Sequence, residues 1–232
     1  LSGGIDSALC LMIAADALGS ENVNSFFLPS TYTSSESKKD AYQLAKKLEV
    51  DLKDISIESM RKKILNELSF LFEGLPQNIT EENIQSRIRG LILMAVSNKF
   101  NSLLIATGNK SELAVGYSTL YGDMCGGFSL IKDIYKSQVV QLVKWRNEHL
   151  LDNFKIRKTN VISNNIICKE PTAELKPNQK DSDTLPNYDI LDKILEHIID
   201  RRSDVSSIMK SGFSKRTIEK VWKMVKNSEY KR

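Results

Sequence analysis

Apolar positions recur along the chain in alternating helical and strand-like patterns. Leu1 and Ser2 read as the end of a strand, and residues 7–18 place Leu9, Met12, Ile13 and Leu18 at helical spacing before stopping at Gly19. Residues 23–28 form a short apolar run, the signature of a buried strand, and residues 29–35 make a polar loop at its carboxyl end. A helix over 37–48 carries Ala41, Leu44, Ala45 and Leu48, and an alternating strand over 52–57 follows. This rhythm predicts an α/β fold, a doubly wound parallel sheet flanked by helices. Ligands of such sheets bind at the carboxyl ends of the strands, where the Ser2 loop and the Pro29 loop should meet.

Further on, helices are predicted over 60–72 and 81–99, the latter opened by a capping sequence at residues 80–83. Its Leu91, Ile92, Met94, Ala95 and Val96 are expected to face the core. Its first half carries Asn83, Gln85, Arg87 and Arg89, and Asn83 and Arg87 share a face as either a ligand site or a solvated surface. A strand over 102–107, an amphipathic helix over 136–148 with Trp145 in a packing role, and closing helices over 187–200 and 214–226 complete the pattern. The polar stretch 170–185 reads equally as a lid or as disorder.

The chemistry starts at Leu1-Ser2-Gly3-Gly4-Ile5-Asp6-Ser7-Ala8-Leu9-Cys10. Two glycines let the backbone turn sharply and approach a ligand, and the helix that follows offers unpaired N–H groups and a positive dipole end. That is a cradle for phosphate. A Walker loop would supply a lysine, whereas here Asp6 stands inside and Ser2 and Ser7 flank the glycines. Because Asp6 repels bare phosphate, Mg²⁺ is expected between them. The competing reading is a plain helix cap. A second informative stretch spans residues 107–127. Thr107 ends a strand, Glu112 lies where it could share the metal with Asp6, five glycines bend the backbone, and Asp123 sits among them.

With 232 residues, 41% of them hydrophobic, the chain can bury the core of one domain spanning 1–232, with room for a small helical appendage. A net charge of +4 is too mild to argue for nucleic acid and suits anionic small molecules. Cys10, Cys125 and Cys168 are too scattered for a disulfide framework or a zinc site, and His149 and His197 read as surface residues. No apolar run is long enough for a bilayer, so a soluble protein of the reducing cytoplasm is expected. The chain starts in mid-motif without Met, which suggests a piece of something longer.

The opening loop resembles that of the N-type ATP pyrophosphatases. The run 107–136 resembles the signature of NAD synthetases, particularly the glutamine-dependent branch, as do residues 80–89, Pro171-Thr172-Ala173-Glu174-Leu175 and the terminal run 227–232. The resemblance implies amidation of deamido-NAD by ammonia at the expense of ATP, through an adenylated intermediate. It assigns ATP phosphates to Ser2, Gly3, Gly4, Ile5, Asp6, Ser7, Ala8 and Leu9, further ATP contacts to Thr107, Lys136 and Thr172, and Mg²⁺ to Asp6 and Glu112. It places deamido-NAD at Asn83, Arg87, Glu112 and Lys231, and Asp123 and Lys136 at the chemistry. Family members are homodimers, and the glutamine-dependent ones carry an amino-terminal nitrilase-like glutaminase domain that this chain lacks. The rivals are another enzyme of the same superfamily, such as a GMP synthetase, and a nucleotide-binding module without turnover. The first should lack the glycine run at 116–127, and the second would not need the metal pair.

Overall fold

The computed structural model describes residues 1–231. Helix α1 (Ile5–Leu18) is the central element. Ala8, Met12 and Ala15 are fully buried, because α2 (Ser35–Leu48), α6 (Lys136–Glu148) and α7 (Asn164–Cys168) all pack on it. Strand β1 (Asn24–Phe27) pairs in parallel with β2 (Asp51–Asp54), with Asn24 opposite Asp51 and Phe27 opposite Asp54. Alternation along β1 sends Phe27 against Tyr42 of α2 and Phe26 toward Met60 of α3 (Glu58–Glu67) and Ile88 of α4 (Ile79–Phe100). Helices therefore cover both faces, as expected of a doubly wound sheet.

The strands are shorter than the sequence pattern suggests. A second parallel ladder joins β3 (Ile105–Ala106) to β4 (Phe128–Ser129), so the four strands among the described residues form two ladders. Leu1 lies alongside β1, its amino group donating to Phe26 O at 2.8 Å. The helix α5 (Lys110–Val115), α8 (Tyr188–Leu195) with a π-helical turn (Glu196–Asp200), α9 (Val205–Lys210) and α10 (Lys215–Asn227) build a second core around Leu191, Leu195, Ile208 and Ile218.

Helix α4 departs from expectation. Its buried residues are Glu82, Gln85, Ser86, Ile88 and Gly90, none beyond the middle of the helix, whereas Leu91 and Phe100 are about 70% exposed and Ala95 is exposed. Of the residues expected to face the core, Ile92 does pack against Leu28, Ile57 and Ile88, and Met94 and Val96 are half-buried, whereas Leu91 and Ala95 point outward. Its helix cap is also two residues earlier than predicted: Asn78 caps it in a reciprocal box with Glu81. Trp145 is half exposed and stacks on His149 at 4.9 Å instead of packing inside. The stretch 169–185 is docked, with Gln85 donating to Leu175 O at 2.8 Å and Glu82 accepting from Gln179 and Lys176. Arg232, the last residue of the C-terminal run, lies outside the described residues.

One buried ion pair locks α1 to α6. Arg146 grips Asp16 with two hydrogen bonds of 2.6 and 2.8 Å, both side chains being about 95% buried, and also donates to Ile156 O, Lys158 O and His149 O. Removing one partner strands the other charge in a dry core. Asp16→Ala should therefore lower stability in urea denaturation by about 3–5 kcal/mol, while replacing both partners by apolar residues recovers most of the loss. A loss below about 1 kcal/mol would contradict this.

Candidate active site

Ser2-Gly3-Gly4 turns the chain into α1. Gly3 has φ +86°, and a side chain there would strike Ser37 O, so only glycine lets the turn approach α2 this closely. Ser7 locks the turn, donating to Gly4 O at 3.0 Å and accepting from Ser2 N–H at 3.1 Å, with the Ser2 hydroxyl 3.0 Å away. No side chain caps α1, so the N–H groups of its first turn stay available to an anion.

Asp6 follows at once and does not stand alone. The ammonium of Lys136, the first residue of α6, lies between Asp6 Oδ2 and Glu112 Oε1, the latter at 3.3 Å. Asn109, fully buried, holds both carboxylates in place. Its Nδ2 donates to Asp6 Oδ1 at 2.9 Å, while its Oδ1 caps α5 by accepting from Glu112 N–H at 3.0 Å. Lys136 is fixed from the backbone side. Its N–H donates to Ser111 Oγ, Ser111 donates to Asp192 of α8, and Asp192 also accepts from Ser137 N–H. The second core therefore positions the lysine.

Burial opposes charge on Lys136, yet Asp6 and Glu112 outweigh it and hold its ammonium pKa above the usual range. Burial pushes the Glu112 carboxyl upward, against the pull of Lys136. Asp181, 5% exposed, closes the bay. Tyr188 donates to one of its oxygens at 2.8 Å, and the other has no hydrogen-bond partner among the described residues. Burial raises this carboxyl as well.

The predicted site residues divide. Ser2, Gly4, Ile5, Asp6, Ser7, Thr107, Glu112, Lys136, Thr172, Asp123 and Lys231 line one cleft of about 1530 Å³. Gly3, Ala8 and Leu9 do not. Ala8 and Leu9 are core residues, leaving only backbone to serve a ligand. Asn83 and Arg87 also lie off the cleft: Asn83 accepts from Thr119 Oγ1 at 2.9 Å, and the exposed Arg87 donates to Leu120 O. Thr172 is engaged within its own loop, donating to Gln179 O at 2.6 Å. Glu174 pins that loop to the start of α2 through Ser34 and Ser37. Lys231 donates to Gly116 O and Ser118 O, tying the C-terminus to the glycine loop.

Asp123 accepts from Thr119 N–H at 2.8 Å, which caps a turn, and it also faces the cleft. Burial raises its carboxyl, opposed by the charges of Lys231 and Arg89. Sequence reading missed Asn109, Ser111, Asp181 and Asp192. Only Asn109 carried a signal, its spacing of three residues to Glu112 being that of a capping box.

A profile of the family described as NAD synthase matches residues 1–232. The chain belongs to the NAD synthase family. It is 47% identical, over all of its length, to the glutamine-dependent NAD(+) synthetases of Rhodobacter capsulatus and Thermotoga maritima. It spans 42% and 39% of those two proteins, about two fifths of their length. Among solved structures it resembles a glutamine-dependent NAD+ synthetase of Acinetobacter baumannii in complex with ADP, at TM-score 0.68 and 44% identity over the whole chain and 40% of the other. It also resembles an NMN synthetase of Francisella tularensis, at TM-score 0.81 and 26% identity, over the whole chain and 84% of the other. These likenesses bear out the expected ATP-pyrophosphatase type of α/β fold.

Asn109 joins a helix cap to the orientation of Asp6, so its loss should be costly. Asn109→Ala should destabilise the chain by about 1–3 kcal/mol in chemical denaturation. Asn109→Ser, which keeps a capping oxygen, should recover part of that; equal losses in the two variants would contradict the capping role.

Proposed function

We propose that this chain amidates deamido-NAD to NAD, using ATP to activate the carboxylate and ammonia as the nitrogen source. The observation that carries the reading is the Lys136 ammonium set between two carboxylates at the open end of α1, in the same cleft as Asp123. A carboxylate resists ammonia because its leaving group would be oxide. Transfer of AMP replaces that group with a stabilised phosphate.

Ser2, Ser7 and the first-turn N–H groups of α1 hold the ATP phosphates, with Thr107 and Thr172 as further nucleotide contacts. Asp6 and Glu112 fit a magnesium ion. They are hard oxygen donors facing one cation position, and with no group of three or more ligating side chains among the described residues, phosphate and water would complete the coordination. Bound there, Mg²⁺ would neutralise phosphate charge. Lys136 supplies a fixed positive charge beside the departing pyrophosphate. A carboxylate oxygen of the substrate attacks the α-phosphorus in line, and the bond to pyrophosphate breaks. Ammonia then attacks the acyl carbon, and AMP departs with one of the two carboxylate oxygens. Asp123 receives a proton from the incoming nitrogen; burial makes it a stronger base than an exposed aspartate.

Asn83, Arg87, Glu112 and Lys231 bear on the dinucleotide. Because Asn83 and Arg87 lie off the cleft, on the same helix as the exposed Leu91 and Phe100, the reading includes a homodimer that covers that face. It also includes a glutaminase domain delivering ammonia, and a cytoplasmic setting suited to three free thiols, of which Cys10 is buried. Among the described residues no helix is long and apolar enough to cross a membrane. The Francisella likeness, to a protein named NMN synthetase, makes the corresponding mononucleotide acid the rival substrate.

The chain, given ATP, Mg²⁺, ammonium and either acid, should form NAD from deamido-NAD and release pyrophosphate in equal amount. Asp123→Asn should slow NAD formation about 10²-fold or more while pyrophosphate is still released. Lys136→Met should slow pyrophosphate release itself by about 10²–10³-fold. Pyrophosphate release with the mononucleotide alone would overturn the substrate, and undiminished NAD formation by Asp123→Asn would overturn the base.

A further inference from the structure

Arg89 stands two residues after Arg87, about 200° around α4, and points the opposite way. Arg87 is exposed, whereas Arg89 lines the cleft. The Arg89 Nε donates to Leu28 O at 2.9 Å, which anchors the side chain at the carboxyl end of β1. Its two Nη groups make no hydrogen bond to a described residue, and no described carboxylate comes within 4.0 Å. Burial lowers the guanidinium pKa to about 10, with the more distant charges of Glu174 and Asp123 opposing. The side chain is half-buried and faces the cleft with no carboxylate in contact, so its free edge can receive an anion.

The neighbouring residue fixes what lies opposite. A side chain at Gly90 would come within 2.9 Å of Gly122 O, so α4 and the glycine loop touch backbone to backbone. That contact carries Asp123 to the same part of the cleft as Arg89, and each feels the other's charge. An anionic substrate group approaching Asp123 would be repelled unless a cation received it. The free edge of a guanidinium offers two parallel N–H donors that match a carboxylate.

We propose that Arg89 is the residue that grips the reacting carboxylate of the substrate through its two Nη groups, and that it thereby separates acid substrate from amide product. The inference rests on the proposed function. The amide product carries no charge and matches only part of the fork, so the same residue favours release of product over substrate.

The test compares the binding of deamido-NAD, NAD and ATP, each alone, to the wild-type chain, R89Q and R89K by calorimetry, with melting curves to confirm folding. Wild type should prefer the acid to the amide by about ten- to a hundredfold. In R89Q that preference should fall to near one, through loss of affinity for the acid, while NAD and ATP bind within about twofold of wild type. R89K keeps the charge without the fork and should lie between; it also serves should R89Q fail to fold. Equal weakening of both dinucleotides would reduce Arg89 to a tether for β1, and selective loss of ATP would make it a phosphate ligand. Either result overturns the inference. A wild-type chain with no preference for the acid would overturn the proposed function, whereas a preference that survives in R89Q overturns this inference alone.

Discussion

The site depends on one buried ammonium held between two carboxylates from different parts of the chain. Lys136 enters from α6, Asp6 from α1 and Glu112 from α5, and each is placed by the start of its helix. Helix starts present groups to be satisfied, and here their satisfaction does the positioning: Asn109 caps α5 and orients Asp6, and Asp192 reaches from α8 to hold the first N–H groups of α6. Of these three helices, α1 alone has no side chain capping its start, next to the lysine. A free helix end beside a lysine is what a polyphosphate requires, with a cation needed to offset Asp6 and Glu112.

The second requirement is a wall that brings a carboxylate to the nucleotide and keeps water out. Two segments with little regular structure, the docked stretch 169–185 and the glycine loop containing Asp123, supply it together with the first half of α4. The stretch 169–185 is latched at both ends of the cleft, to Ser34 and Ser37 through Glu174 and to α4 through Leu175 and Gln179. Between residues 172 and 179 these bonds are polar, while Leu185 anchors the far end in the second core. Such polar contacts can open to admit substrate at little cost compared with unfolding the buried α1.

Much of this was legible in the sequence, where local chemistry and function coincide. The glycine turn before α1, the parallel alternation of strands and helices, and α6 over 136–148 follow from spacing and from residues that can do only one thing. What was misread depended on partners distant in sequence. The apolar run 91–96 signals burial but not against what, and here it is split: Ile92 and Leu93 pack against Leu28 and Ile57, whereas Leu91 and Ala95 lie outward. Arg87 and Arg89 are indistinguishable as letters, and only the phase of α4 against β1 turns one of them into the cleft. Asp181 and Asp192 sit in sequence contexts that look solvated, and they acquire their roles from the second core folding back on α5 and α6.

The central claim is that this cleft activates a carboxylate by joining it to AMP. Deamido-NAD labelled with ¹⁸O in both carboxylate oxygens tests it most directly, with mass analysis of AMP, pyrophosphate and NAD after turnover on ammonium. The account predicts one labelled oxygen in AMP, the other retained in the amide of NAD, and none in pyrophosphate. Unlabelled AMP, with label in pyrophosphate or inorganic phosphate, would show that a different phosphorus was attacked and would contradict the account.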